Sequence, residues 1–308
     1  MARIAADKLH PKARAIVDQI AALPQLPTLT PVEARGRPVP LEAAPEAVGS
    51  LTARTIPGPG GPLAVRIYRP KDALRAALVY FHGGGWVVGS LEGADASCRA
   101  LANRSRCVVI SIDYRLAPET KFPGAVDDAY AATRWVADNA AELRIDPSKI
   151  AVGGASAGGN LAAAVALVAR ERGGPKIAFQ LLTVPVTELS SKADSHREFA
   201  EGYGLSAADM TWFGTHYVRT PADADDPHAS VLRADLHGLP PAFVITAECD
   251  PLRDDGEAYA DRLRALGIAA RYKRYAGMFH GFMSFPGVLP DAAEAFDDAG
   301  TALREALA

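Results

Sequence analysis

Val152-Gly153-Gly154-Ala155-Ser156-Ala157-Gly158-Gly159-Asn160 is the stretch whose reading decides the fold. Lys149-Ile150-Ala151-Val152 leads into it as a short buried strand, and Leu161 to Arg170 follow as strong helix formers throughout. Ser156 therefore sits at a strand-to-helix turn within Gly154-x-Ser156-x-Gly158, the setting in which G-x-S-x-G forms a nucleophile elbow. Such a turn needs small flanking residues and strains the serine backbone. It also places the free N–H groups and positive dipole end of the following helix beside the hydroxyl. Taken alone, the same letters describe a glycine-rich loop, so the reading depends on partners elsewhere in the chain.

Upstream, Phe81-His82-Gly83-Gly84-Gly85-Trp86 directly follows the apolar run Ala77–Phe81. Consecutive glycines leave backbone N–H groups open to close approach, as an acyl-transfer site requires where a carbonyl oxygen turns negative. Its place, after an early strand and before the elbow, is that of an oxyanion loop. Downstream, an acid and a base must follow the serine. Of the histidines after the excursion described below, His237 lies in a loop before a strand, with no carboxylate following a strand ahead of it, whereas His280 lies just beyond the last apolar run. His280 is the better base. Asp250 follows the run Ala242–Thr246 and precedes Pro251, so it is either a simple helix cap or the acid; Asp254 and Asp255 are expected to face solvent. The chain order Ser156, Asp250, His280 is that of α/β hydrolases.

The remaining pattern agrees. Residues 7–22 space their apolar side chains as an amphipathic helix, and Pro24 to Pro45 is too broken for regular structure, making residues 1–45 an arm. Leu51–Ile56 and Leu63–Tyr68 read as a hairpin joined by a loop. Continuous apolar runs at Ala77–Phe81, Cys107–Ile112, Ile150–Val152, Ile177–Val184 and Ala242–Thr246, with helical segments such as Ala125–Leu143 between them, mark strands covered on both faces. The expected fold is a mostly parallel α/β sheet, closed by Ala270–Tyr275 and a helix from about Asp291 to Leu307. Residues 186–230 interrupt it with a polar segment and then Phe199, Tyr203, Leu205, Met210, Trp212 and Phe213, the pattern of a cap. The core is thus 46–185 and 231–308, the cap 1–45 and 186–230.

The 308 residues are 49% hydrophobic and 22% charged, with a net charge of −3. That balance gives no reason to expect nucleic acid or a membrane surface as partner. Cys98, Cys107 and Cys249 lack metal-ligand spacing and read as small buried hydrophobes in a reducing compartment. The start lacks the apolar run of a signal peptide, and no stretch is long and apolar enough to span a bilayer, so a cytoplasmic protein is expected. Ala270–Tyr275 is an edge strand suited to a homodimer, or guarded against one by Arg271, Lys273 and Arg274.

His82-Gly83-Gly84-Gly85-Trp86, Asp113-Tyr114-Arg115-Leu116-Ala117-Pro118-Glu119, Gly154-Ala155-Ser156-Ala157-Gly158-Gly159, Asp250-Pro251-Leu252-Arg253-Asp254-Asp255-Gly256 and His280-Gly281-Phe282 resemble the bacterial hormone-sensitive-lipase-like esterases over essentially the whole chain. The resemblance implies an α/β-hydrolase fold with a helical cap, acting on short- to medium-chain esters with no metal or cofactor. It implies Ser156 as nucleophile, His280 as base and Asp250 as its orienter. The N–H groups of Gly84, Gly85 and Ala157 would form the oxyanion hole, with Gly83 shaping the loop and His82 bracing it. Tyr114, Arg115, Asp127 and Asp128 read as structural. Trp86, Tyr203, Leu205 and Met210 are pocket candidates. Two positions depart from the commoner pattern: Ala155 stands where the elbow usually has Asp, and Asp255 where the acid block usually has Glu. The same triad could serve an amidase, formamidase or acyltransferase; a non-catalytic small-ligand receptor is disfavoured because His280 is present.

Overall fold

A computed structural model describes residues 8–37 and 45–308. The arm carries helix α1 (Pro11–Ala21) and the single-turn helix α2 (Pro31–Arg35), each with proline at its start, where a missing N–H costs nothing. The Pro24–Pro45 stretch is therefore not uniformly irregular. Thr30 and Glu33 cap α2 reciprocally, each side chain bonding the other's backbone N–H, and that local device outweighs the surrounding prolines. Residues 1–7 and 38–44 of the expected arm lie outside the described residues.

Strands β1 (Ser50–Gly58) and β2 (Gly61–Arg69) pair antiparallel. The ladder runs through Pro57 opposite Pro62 to Gly58 opposite Gly61, leaving only Pro59-Gly60 as the turn instead of the expected longer loop. Pro57 is tolerated because β1 lies at the sheet edge, and Pro62 because it precedes the part of β2 that pairs with β4. Then follow β3 (Ala77–Phe81), α3 (Leu91–Ser105), β4 (Val108–Ile112), α4 (Gly124–Asp138), β5 (Ile150–Ala155), α5 (Ala157–Glu171) and β6 (Phe179–Thr183). The excursion holds α6 (Asp194–Glu198) and α7 (Ala207–Tyr217), before β7 (Ala242–Cys249), α8 (Arg253–Ala265), β8 (Ala270–Phe279) and α9 (Pro290–Leu307).

The sheet order is β1-β2-β4-β3-β5-β6-β7-β8, antiparallel through β1, β2 and β4 and parallel thereafter. Side chains alternate between its faces. Val79, Ile110 and Val152 pack with α4, α5 and α8, while Leu78, Val109 and Ala151 pack with α3 and α9. Covering both faces is what makes these strands read as continuous apolar runs. Helix α5 is buried at every position from Ala157 to Ala169, which its small alanines permit at the centre of the molecule. Ser156 sits at its head, at the carboxyl end of the central strand β5, the edge where open α/β sheets place their ligands. Among the described residues no helix is long and apolar enough to cross a membrane.

Candidate active site

The elbow is strained and closely packed. Ser156 has φ 57° and ψ −118°, a region that β-carbon-bearing residues avoid at a cost of about 1–3 kcal/mol. A β-carbon on Gly158 would lie 1.9 Å from the Phe81 carbonyl oxygen, so only glycine lets α5 begin this close to the end of β3. As the first residue of α5, Ala157 has an N–H with no carbonyl one turn back to receive it.

His280 follows β8, and Asp250 follows β7. His280 Nδ1 lies 2.8 Å from Asp250 Oδ2, and its Nε2 lies 3.0 Å from Ser156 Oγ. A carboxylate oxygen accepts, so in the neutral ring Nδ1 carries the proton and Nε2 offers its lone pair to the serine hydroxyl. Asp250 is fully buried, and its other oxygen accepts the Leu252 N–H at 2.9 Å. Asp250 is not the helix cap: Leu252 is the N-cap of α8 and has no side-chain cap, while the Asp250 carboxylate closes the turn ahead of the helix with one oxygen and faces His280 with the other.

The glycine loop lies against the elbow. A β-carbon on Gly83 would stand 3.6 Å from Ser156 Cβ and 3.0 Å from the Ala155 carbonyl oxygen. Gly84 has φ 115°, and its carbonyl accepts the N–H groups of Val87 (3.1 Å) and Val88 (2.9 Å), closing a tight turn. His82 is buried and stacks on Tyr114 with ring centroids 4.2 Å apart, while Tyr114 Oη donates to the His82 carbonyl at 2.9 Å. Its Nδ1 donates to the Gly83 carbonyl at 2.8 Å, and burial pulls its pKa down to about 4. His82 is therefore a neutral brace. Arg115 grips the buried carboxylate of Asp128 from its backbone N–H (3.0 Å), Nε (2.8 Å) and Nη2 (2.7 Å).

The pocket candidates separate. Tyr203 is 1% exposed and meets Phe199 edge-on at 4.9 Å, in the apolar cluster that includes Ile16 and Val17 of α1. Trp86 is buried and stacks flat on Tyr217 at 4.0 Å. Leu205 and Met210 are half-buried. Phe213 of α7 lies against the glycine loop, since a β-carbon on Gly85 would strike its ring at 2.2 Å.

Two expectations are corrected. Asp255 does not face solvent: it is 2% exposed and accepts from Ser191 Oγ at 2.6 Å and His196 Nε2 at 2.9 Å. Asp254 is largely covered, accepting the Ser195 N–H at 2.8 Å and Arg253 Nε at 2.7 Å. The excursion folds back over the start of α8 and turns an exposed first turn into an interface. Asn160 escaped sequence reading altogether. Fully buried, it donates to the carbonyls of Val186 (3.0 Å) and Ala229 (2.8 Å), pinning both ends of the excursion to α5. Its place straight after the elbow glycines was the available signal.

Residues 78–284 match the family described as alpha/beta hydrolase fold. The carboxylesterase NlhH of Mycobacterium tuberculosis is 44% identical over 252 residues, 80% of this chain and 79% of that protein. An arylesterase of Saccharolobus solfataricus is 46% identical over 227 residues, covering 73% of this chain and 74% of the arylesterase. Among solved structures, a hyperthermophilic esterase from the archaeon Pyrobaculum calidifontis superposes with a TM-score of 0.89 at 44% identity, covering 97% of this chain and 98% of the other. Matched through the sheet, the elbow and the loop bearing His280, the chain belongs to the α/β-hydrolase fold family and, within it, to the hormone-sensitive-lipase-like esterases whose motifs it carries.

Proposed function

We propose that this chain is a serine carboxylesterase hydrolysing short- to medium-chain acyl esters, with Ser156, His280 and Asp250 as its triad. The observation that carries this is the unbroken run of contacts from Asp250 Oδ2 to His280 Nδ1 (2.8 Å) and from His280 Nε2 to Ser156 Oγ (3.0 Å). Ser156 Oγ attacks the ester carbonyl carbon as its proton passes to His280 Nε2, and Asp250 stabilises the imidazolium. The carbonyl oxygen, now negative, is received by the N–H groups of Gly84, Gly85 and Ala157, with Gly83 allowing the loop to lie against the elbow. The C–O bond then breaks and the alcohol leaves with the proton from His280. Water attacks the acyl-serine by the reverse sequence and frees the acid. The names of the similar proteins, carboxylesterase, arylesterase and esterase, support an ester as substrate.

In the same reading, residues 186–230 and the arm form a cap over a core of 46–185 and 231–308. Supporting this, Arg14 of α1 reaches the Gly202 carbonyl at 3.1 Å, and α7 lays Phe213 on Gly85. Leu205, Met210 and Phe213 then border the acyl or alcohol pocket, whereas Tyr203 supports the cap from within. Cytoplasmic residence is supported by Cys98, Cys107 and Cys249, all buried as free thiols. The open edge of β8 supports a homodimer, which sedimentation velocity tests.

The test is Ser156→Ala, assayed on p-nitrophenyl esters of graded length with matched anilides as amide controls. Ester turnover should fall about 10⁴-fold or more, and a fluorophosphonate probe should label the wild type and not the variant. Wild-type turnover in a folded Ser156→Ala protein would end this reading. Anilides cleaved faster than esters would move it to an amidase.

A further inference from the structure

The loop that carries the oxyanion glycines is held from outside by the arm. Arg35 ends α2 and donates from Nε to the Val87 carbonyl at 2.9 Å and from Nη2 to the Ala117 carbonyl at 2.8 Å. Glu119 grips the same guanidinium at 2.8 Å and 2.6 Å, fixing its plane. Ala117 in turn donates its N–H to the Trp86 carbonyl at 2.8 Å, and Val87 donates to the Gly84 carbonyl at 3.1 Å. Two carbonyls of the turn from Gly84 to Val88 are therefore tied to Arg35, Val87 directly and Trp86 through Ala117.

The chemistry at this point favours arginine. Two carbonyls and a carboxylate must be met at once by donors in one rigid plane, which a guanidinium supplies and an ammonium does not. The ion pair with Glu119 is half open to water and contributes little stability by itself. The two carbonyl bonds are another matter, because they act on a loop whose N–H groups must be aimed before charge develops. A displacement of about 1 Å at such a site costs up to about 100-fold in rate. Helix α2 is a single turn and does not stand alone. The contacts through which Arg35 docks α2 are thus also contacts that hold the loop.

Resting on the proposed roles of Ser156, Gly84 and Gly85, we infer that Arg35 is a positioning residue for the oxyanion hole, coupling attachment of the N-terminal arm to transition-state stabilisation. Arg35→Ala and Arg35→Lys are the variants, measured with p-nitrophenyl butyrate. Diethyl p-nitrophenyl phosphate, whose released nitrophenol counts competent sites, gives kcat per folded site even where part of a preparation unfolds. We expect kcat per site to fall about 10- to 100-fold in both variants, with KM within about twofold and lysine giving no rescue. The inhibition constant of an alkyl trifluoromethyl ketone, which forms a tetrahedral adduct with the serine, should rise in step with the fall in kcat. A variant that melts earlier but keeps wild-type kcat per site and ketone affinity would reduce Arg35 to a structural tie and overturn the inference, leaving the triad reading intact. A wild-type enzyme that the ketone does not inhibit, or whose activity survives Ser156→Ala, would overturn both.

Discussion

His196 Nε2 lies 2.9 Å from Asp255 Oδ2, so the excursion's first helix is latched onto the helix that begins just after Asp250. Burial of His196 acts to lower its pKa, but the hydrogen bond to Asp255 and the nearby charges of Asp255, Asp250 and Asp254 outweigh burial and raise it. With the folded value above the unfolded one of about 6.5, the latch stabilises fully below pH 6.5 and loses that contribution as pH rises through the folded value. In urea unfolding, the stability gap between wild type and His196→Gln should be widest near pH 6 and narrow toward pH 9. A gap independent of pH would show that His196 contributes packing alone.

The two bonds made by Asp250 predict a clean separation of chemistry from folding. Asp250→Asn keeps an oxygen for the Leu252 N–H but presents His280 with a group that no longer fixes Nδ1 as the donor. The imidazole can then take the wrong tautomer, and the imidazolium loses its counter-charge. Turnover of p-nitrophenyl esters is expected to drop about 10⁴-fold, with a melting temperature within a few degrees of wild type. An active Asp250→Asn enzyme would mean that another carboxylate orients the base.

What the sequence showed and what it hid divide along the length of the contacts. Ser156, the glycine run, Asp250 and His280 each announce themselves within about six residues, because a strand end followed by a particular turn chemistry is a local pattern. Thr30-x-x-Glu33 is equally local, a capping box hidden among prolines that by themselves point to irregular chain. Arg35 meets its carbonyls 52 and 82 positions away, and His196 meets Asp255 59 positions away. No periodicity carries such pairings. Asp255 reads as solvent-exposed for the same reason: a carboxylate in a helix's first turn is normally solvated, and only the returning excursion buries it.

Asn160 should matter to the cap more than to the chemistry. Replacing it with Ala leaves the carbonyls of Val186 and Ala229 without their buried donor, a loss of about 1–3 kcal/mol for each group left unpaired. Limited proteolysis should then cut within residues 186–230 faster than in wild type, while Ser156 still reacts with a fluorophosphonate. Unchanged cleavage there would show that the excursion is held by its other contacts, among them Thr187 Oγ1 to the Asp255 carbonyl at 2.9 Å and the Leu189 N–H to Ser230 Oγ at 2.8 Å.

Ala155 is the elbow residue whose side chain the sequence left unexplained. It borders a cavity of about 50 Å³ shared with Tyr80, Ser97, Thr183 and Ser284, on the side of Gly281 next to His280. Space for a water-sized group exists there, hydroxyl-bearing residues are among those that line it, and Ser284 is exposed. A carboxylate at 155 would enter a space that Tyr80, Ser97, Thr183 and Ser284 share with apolar side chains, and the elbow does not depend on one for its shape. The elbow's shape rests instead on Gly158 against the Phe81 carbonyl and on the Ser156 N–H bond to the Thr183 carbonyl at 2.8 Å. Ala155→Asp should accordingly change unfolding free energy by no more than about 0.5–1 kcal/mol and leave ester turnover within about threefold. Ala155→Leu, too large for that space, should lose about 1–3 kcal/mol through overpacking. Equal tolerance of both would mean that the cavity can be reshaped at no cost to the serine, and a large loss in the aspartate variant would mean that the cavity leaves a carboxylate without donors.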